Sequence, residues 1–262
     1  MAIEVFNRHE TKFLIDKDTY DSIQNDLMRY MEFDDYNKEH GFYTISNIYF
    51  DTDDDYLIRT SLSKPTYKEK LRIRSYGVPD IDDKVYLEIK KKFNGIVNKR
   101  RTKLKLNEAY DFIKTGTKPD IKKYMNKQVM NEIEYILKIY DLSPKVYLAY
   151  DRKALFSKKN KDLRITFDTN IRTRRYDLNL EMGDYGESLL ESNKYLMEVK
   201  AEKNIPIWLS KLLSEYKIYK TSFSKYGNEY KKMLSSERNM KGEKTVCYNQ
   251  YSTQHQLIQQ YL

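Results

Sequence analysis

Long stretches of this chain alternate, residue by residue, between apolar and charged side chains. In one segment Lys70, Arg72 and Arg74 lie on one side and Leu71 and Ile73 on the other. In the next, Val85, Leu87 and Ile89 oppose Glu88 and Lys90. Leu163, Ile165 and Phe167 oppose Arg164, Thr166 and Asp168, and Met197 and Val199 oppose Glu198 and Lys200. Tyr150 with Arg152, and Arg8, Glu10 and Lys12 near the start, repeat the theme. A period of two is the signature of a strand with one buried face. The pattern predicts strands near 3–14, 42–52, 66–76, 84–92, 96–104, 143–155, 162–174 and 194–202, with a hairpin turn at Asn94-Gly95. Helical spacing predicts helices over 17–31, with Asp16 as N-cap, and over 106–114, 121–139, 205–219 and 223–235. Neither an internal repeat nor a Pro/Gly-rich linker divides the chain. The expected organisation is one α+β domain over 1–236 and a loosely ordered C-terminal tail over 237–262.

Composition excludes several classes. A chain of 262 residues can bury a sizeable core, and an aromatic content of 14% argues against disorder. The single cysteine, Cys247, rules out a disulfide framework or a cysteine-rich zinc site. Only 8 glycines are present, and neither GxxxxGK[ST] nor GxGxxG occurs. No apolar run approaches the roughly 20 residues that cross a bilayer. The opening MAIEVFNRHETKF is charged where a signal peptide is apolar, so a cytoplasmic setting is expected. Lys+Arg 48 against Asp+Glu 39 gives +9, which favours polyanionic partners.

A single charged strand face is ordinarily the solvated side of an antiparallel sheet. Here cations dominate that face in at least five segments, each isolated carboxylate two residues from a cation. Such crowding costs about 4 kcal/mol per close like-charge pair at an effective dielectric near 20, and an anionic ligand relieves it. Cations suit phosphate oxygens, and scattered carboxylates suit Mg²⁺ or Mn²⁺. Other motifs point to less. The acidic run Asp51–Asp55 lacks the Gly and Glu of a calcium loop, with Tyr56 and Leu62 in their places, and reads as a strand end leading into a helix N-terminus. His9, His40 and His255 have no metal-ligand spacing. Lys90-Lys91-Lys92 and Lys99-Arg100-Arg101 flank a hairpin and form either a nonspecific nucleic-acid patch or a solvated surface. The stripe around Trp208 reads as helix core.

Eight short strings run in order along most of the chain: Arg8-His9-Glu10-Thr11-Lys12-Phe13, Tyr49-Phe50-Asp51-Thr52, Leu71-Arg72-Ile73-Arg74, Leu87-Glu88-Ile89-Lys90, Tyr150-Asp151-Arg152, Arg164-Ile165-Thr166-Phe167-Asp168, Glu198-Val199-Lys200 and Ser224-Lys225-Tyr226-Gly227. Through them the chain resembles the VTC-type polyphosphate polymerase domain, a branch of the triphosphate tunnel metalloenzymes. The resemblance implies an eight-stranded antiparallel β-barrel, the triphosphate tunnel fold, with helices packed outside and a basic bore. It assigns phosphate binding and catalysis to Lys12, Arg72, Arg74, Lys90, Arg152, Arg164 and Lys225. Lys99, Tyr150 and Ser224 would add contacts to substrate. Glu198 would hold the metal, Mn²⁺ or Mg²⁺, with Glu10 and Glu88 as helpers. The chain departs from the Glu-x-Glu-x-Lys opening of hydrolytic members, having Arg8 in the first position, which favours the polymerase branch.

The function expected is transfer of the γ-phosphoryl of ATP to a growing polyphosphate, with no specific nucleic-acid partner. A triphosphatase, or a non-catalytic polyphosphate or nucleotide sensor, would use the same residues. Eukaryotic relatives are tied to membrane segments, so any such coupling here would require a membrane-protein partner.

Overall fold

The computed structural model describes residues 9–240, except 36, 38–40, 95, 160, 161 and 203. Arg8, Gly95, His40, Cys247, His255 and the tail beyond 240 therefore lie outside the described residues. The eight expected strands are the eight long ones. They are β1 (His9–Asp16), β3 (Tyr43–Asp51), β4 (Tyr67–Tyr76), β5 (Lys84–Phe93), β6 (Ile96–Lys105), β7 (Ser143–Ser157), β8 (Arg164–Arg174) and β10 (Lys194–Ala201). Three short strands, β2 (Met31–Phe33), β9 (Glu187–Ser188) and β11 (Lys220–Thr221), join the same sheet. Its order is β11-β1-β10-β8-β7-β3-β4-β5-β6, every pair antiparallel, with β2 on β7 and β9 on β8.

Six α-helices accompany the sheet among the described residues: α1 (Lys17–Met28), α2 (Tyr56–Leu62), α3 (Leu106–Thr115), α4 (Lys127–Ile139), α5 (Ile207–Glu215) and α6 (Lys225–Met240). Asp16 caps α1, its Oδ1 accepting from Thr19 N at 2.8 Å. The helix expected from 121 starts at Lys127 instead. Asn126 is its N-cap, and the turn before it is tied by Met125 N donating to Lys122 O. Helix α6 continues past residue 236 to Met240, in a run with neither Gly nor Pro after Gly227 to stop it. No described helix is long and apolar enough to cross a membrane.

The apolar side of the alternation is buried under helices in two blocks. Leu71, Ile73, Val85, Leu87, Ile89 and Leu104 of β4–β6 pack with Phe112 of α3 and Val129, Met130 and Ile133 of α4. Phe13, Ile165, Phe167, Met197 and Val199 of β1, β8 and β10 pack with Tyr20, Ile23 and Leu27 of α1 and Leu209 and Leu213 of α5. The Trp208 stripe is thus helix core, with Trp208 itself stacked on Tyr30 at 4.2 Å. Helix α6 joins a third cluster, where Tyr226 and Tyr230 meet Tyr49, Val146, Leu148 and Tyr150 of β3 and β7.

The sheet is strongly curled. Lys90 on β5 feels the charges of Glu10 and Lys12 on β1 and Lys200 on β10, strands far from β5 in the sheet order. No ladder joins β1 to β6 among the described residues, so the hydrogen-bonded order is a large antiparallel sheet rather than a demonstrated closed barrel.

Candidate functional site

Directly opposed residues in antiparallel strands point to the same side. Along β1, β10 and β8 the ladder opposes Glu10 to Lys200, Lys12 to Glu198, Glu198 to Thr166 and Lys200 to Arg164. Arg152 opposes Asp168 across β7–β8. Across β4–β6, Lys70 opposes Lys90, Arg72 opposes Glu88, Arg74 opposes Tyr86, and Lys90 opposes Lys99. Tyr49 and Asn47 of β3 oppose Arg72 and Arg74. The sheet therefore gathers the strand residues singled out in the sequence on its concave face, and α6 brings in Lys225.

Two carboxylate-centred clusters organise these cations. In the first, Glu88 is 1% exposed and takes Nε and Nη2 of Arg72 at 2.9 and 2.7 Å. Lys99 Nζ lies 2.7 Å from its other oxygen, and Arg74 Nε is 3.8 Å away. Arg72 also donates to Tyr49 Oη at 2.8 Å, and Arg74 donates to Asn47 Oδ1 at 3.0 Å and Tyr150 Oη at 3.2 Å. Burial pushes the Glu88 carboxyl up, but Arg74, Arg72 and Lys99 together hold it well below its ordinary value. Lys99 falls well below the usual lysine range through burial, because one carboxylate does not balance it beside two guanidiniums.

The second cluster is larger. Asp168, wholly buried, accepts Nε and Nη2 of Arg152 at 2.6 and 2.7 Å and also Lys225. Glu198 lies 3.2 Å from Lys225, 3.0 Å from Lys200, 3.5 Å from Lys12 and 3.7 Å from Arg152. Glu10 shares two of those lysines, at 3.3 Å from Lys12 and 3.5 Å from Lys200. Burial raises Glu10, yet Lys200, with Lys90 and Lys12, brings it down to about 2. Glu198 is held well below its ordinary value against burial by Lys200, Lys225, Lys12 and Arg152. Burial lowers Lys225, but Asp168 and Glu198 override it and raise it above its ordinary value.

Other members of the face have less compensation. Lys70 and Lys90 have no carboxylate within ion-pair distance among the described residues. Burial lowers Lys70 to about 8, and its ammonium lies 5.3 Å from the Tyr226 ring. Burial also lowers Lys90, although its side chain keeps much of its accessible surface. Lys90 thus stands on the concave face among the charges of β1, β4 and β10, with water still reaching it. Among the described residues, Thr166 Oγ1 and Arg164 Nε are buried with no hydrogen-bond partner, although Nη2 of Arg164 lies 3.7 Å from Asp34. They stand two residues apart on this face of β8, an arrangement that an anionic ligand would satisfy.

Some residues lie elsewhere. Ser224 is exposed at the start of α6, where its Oγ accepts from Gly227 N at 3.1 Å as a helix cap. Glu88 shares no ion-pair partner with Glu198, so the structure brings Glu10 beside Glu198 and does not bring Glu88 to them. Asp51 is a cap: its oxygens accept from Leu57 N and Ile58 N of α2 at 2.8 and 2.9 Å, and from Tyr226 Oη at 3.1 Å. The hairpin basic runs divide between the two faces. Arg100 and Lys91 face α4 and pair with Glu132 at 2.7 and 3.8 Å, while Lys90 and Lys99 face the cavity. Sequence selection of site residues missed Lys70, Thr166, Asp168 and Lys200. Each lies within two or four residues, in the same strand parity, of one that was selected.

Among the described residues, no three His, Cys, Asp or Glu side chains are grouped to hold a metal by themselves. Glu198 and Glu10 do fit a hard divalent ion that brings most of its ligands with it. Mg²⁺ characteristically takes one or two carboxylates and completes its shell with water and substrate phosphates.

One solved structure shares this architecture. A protein from Bacillus halodurans described as a candidate adenylate cyclase superposes with a TM-score of 0.52 at 17% identity, over 86% of this chain and 96% of its own. At that identity the likeness speaks for the fold alone. A candidate adenylyl cyclase from Hippeastrum, described as having a dominant triphosphatase activity, aligns with a TM-score of 0.47 and 15% identity over 90% of this chain and 97% of its own. No curated protein matches the sequence. The family model for the VTC domain matches residues 7–234, spanning β1 to β11 and the first ten of the sixteen residues of α6, and the chain belongs to the VTC domain family.

Proposed function

We propose that the protein is a polyphosphate polymerase that transfers the γ-phosphoryl of ATP to the end of a polyphosphate chain held against the concave basic face, with Mn²⁺ or Mg²⁺. The observation that carries this reading is the unbalanced charge of that face. Among the described residues, Lys12, Lys70, Arg72, Arg74, Lys90, Lys99, Arg152, Arg164, Lys200 and Lys225 meet only Glu10, Glu88, Asp168, Glu198 and, at Arg164 alone, Asp34. A polyphosphate is a linear polyanion, and a row of cations along a curled sheet matches it. Closure of the sheet into a barrel, as in a triphosphate tunnel, belongs to this proposal.

The reaction needs no covalent nucleophile from the protein. The terminal phosphate oxygen of the acceptor is already anionic and attacks the γ-phosphorus. The bond from that phosphorus to the β–γ bridging oxygen breaks, and ADP departs with the bridging oxygen. Catalysis then rests on alignment and charge neutralisation. Arg72 and Arg74 are held rigid by Tyr49, Asn47 and Tyr150, so little reorganisation accompanies the reaction. Arg152, Lys225 and Lys12 line the side where Glu198 stands. A divalent ion held by Glu198 and Glu10 would withdraw charge from the transferring group.

Incubating the protein with ATP and Mn²⁺ and resolving the products on a polyphosphate-stained gel tests this. Long chains are expected, and Arg72→Ala should lower their rate by roughly 10²-fold or more. Orthophosphate release without chains would replace the polymerase with a triphosphatase, and an Arg72→Ala protein that polymerises normally would remove the assignment.

A further inference from the structure

We infer that a pocket at the rim of the concave face, between Tyr76 and Tyr86, receives the base of a nucleoside triphosphate whose phosphates run inward onto Arg74 and Arg72. This rests on the triphosphate reading of the basic face and adds the organic group that the triphosphate carries.

The pocket has a volume of about 260 Å³ and is lined by the rings of Tyr76 and Tyr86, by Val78 and Pro79, and by the polar side chains of Ser75, Asp83, Lys84 and Lys103. The rings of Tyr76 and Tyr86 lie 6.0 Å apart at 80°, which leaves an open corner instead of a closed stack. The Arg101 guanidinium lies 4.5 Å from the Tyr86 ring centre and fixes that ring, while Tyr76 and Val78 remain 39% and 48% exposed. Most of the lining is polar, and the two tyrosine rings supply its flat aromatic surface. That surface suits a planar heteroaromatic ring, which stacks on tyrosine and on arginine planes alike.

Position supports the same ligand. Tyr86 is the direct cross-strand neighbour of Arg74, and Glu88, which orders Arg72, is the next residue inward on that face of β5. Each such step advances about 6.7 Å along a strand. Moving inward, the face therefore presents aromatic rings and then guanidiniums, the order of base and phosphates in a nucleotide. Because every base has a π-face, the site is expected to accept purines without strong preference.

The test is titration calorimetry of the full chain with ATP, GTP and methyl triphosphate, a probe that keeps the esterified triphosphate and lacks a base. ATP and GTP should bind more tightly than methyl triphosphate. Tyr76→Ala and Tyr86→Ala should each weaken ATP and GTP by roughly tenfold while leaving methyl triphosphate within about twofold. Equal wild-type affinities for ATP and methyl triphosphate would overturn the base site and leave the triphosphate reading standing, without recourse to any variant. Equal losses for all three probes in folded variants would also overturn it, because the tyrosines would then only shape the sheet. If none of the probes binds, both readings fall together.

Discussion

Glu198 is the residue on which most of the second cluster's cations converge, and its removal separates binding from turnover. With Glu198→Gln, Lys12, Lys200, Lys225 and Arg152 lose a shared counter-charge. Triphosphate affinity measured without metal should hold or rise, while Mn²⁺-dependent product formation should drop by 10²-fold or more. Turnover surviving in that variant would take Glu198 out of the metal's coordination. A second residue sets a pH limit. Burial brings Lys70 down to about 8 in the free protein, whereas a bound phosphate favours its ammonium form. Above that pH the free protein has lost the proton, and binding must restore it. Affinity for tripolyphosphate should therefore fall as pH rises from 7 to 9, with proton uptake on binding, and Lys70→Met should flatten that part of the profile. The same lowered value acts oppositely on folding. Between about 8 and the ordinary lysine value the unfolded chain holds the proton that the folded chain lacks, so this residue's unfavourable contribution diminishes as pH rises through that window.

Asp51 couples elements that the sequence shows only in part. Its carboxylate caps α2 and accepts from Tyr226 of α6, while Gly227 in that helix sits where an added Cβ would meet Leu62 Cδ2 at 3.1 Å and Ser224 Oγ at 3.0 Å. Asp51→Ala removes a buried acceptor from Leu57 N, Ile58 N, Tyr226 Oη and Thr52 N at once, so a loss of about 2–4 kcal/mol and a lower melting temperature are expected. Since Tyr226 leans on Tyr49 at 4.9 Å and Tyr49 positions Arg72, tripolyphosphate binding should weaken as well. A variant that melts like the wild type would show that α6 is held by its apolar contacts alone. The helix after the acidic run was legible as a helix start, but Asp51 as its cap was not, because the cap reaches across four residues of irregular chain, 52–55. The eight long strands were legible because each buries one face against helices, which imposes period two over many residues. Strands β2, β9 and β11 have at most three residues and no room to express a period. Within the site, alternation identified the face but not its balance. Arg72 and Glu198 received roles through the motifs, while Lys200 and Asp168 stand in the same strings without a role and Lys70 lies outside them; all three share the parity of the site and are distinguished only by which charges meet on the concave face.

At the scale of the whole molecule, the fold concentrates repulsion where the ligand goes. The apolar sides of β4–β6 and of β1, β8 and β10 are sealed by helices, so the charged sides have only the concave face to occupy. The sheet's curl then brings Lys90, Lys12 and Lys200 within reach of one another's fields. That arrangement opposes folding in the absence of an anion, and a ligand that bridges the cations should stabilise the protein by more than its contacts with any one residue. A ligand that binds only the folded state contributes about 2.7 kcal/mol at a hundred times its dissociation constant. Tripolyphosphate should thus raise the melting temperature by several degrees, and orthophosphate at equal ionic strength by much less, because the longer polyanion carries more charge and can meet more of these cations at once. Raising salt from 50 to 500 mM should shrink the tripolyphosphate shift as ions screen the pairing. The Arg100 and Lys91 contacts with Glu132 of α4 lie outside the cavity, so Glu132→Gln should leave that shift intact. Equal shifts from orthophosphate and tripolyphosphate would mean that the two clusters act as separate anion sites and not as one continuous path for a chain.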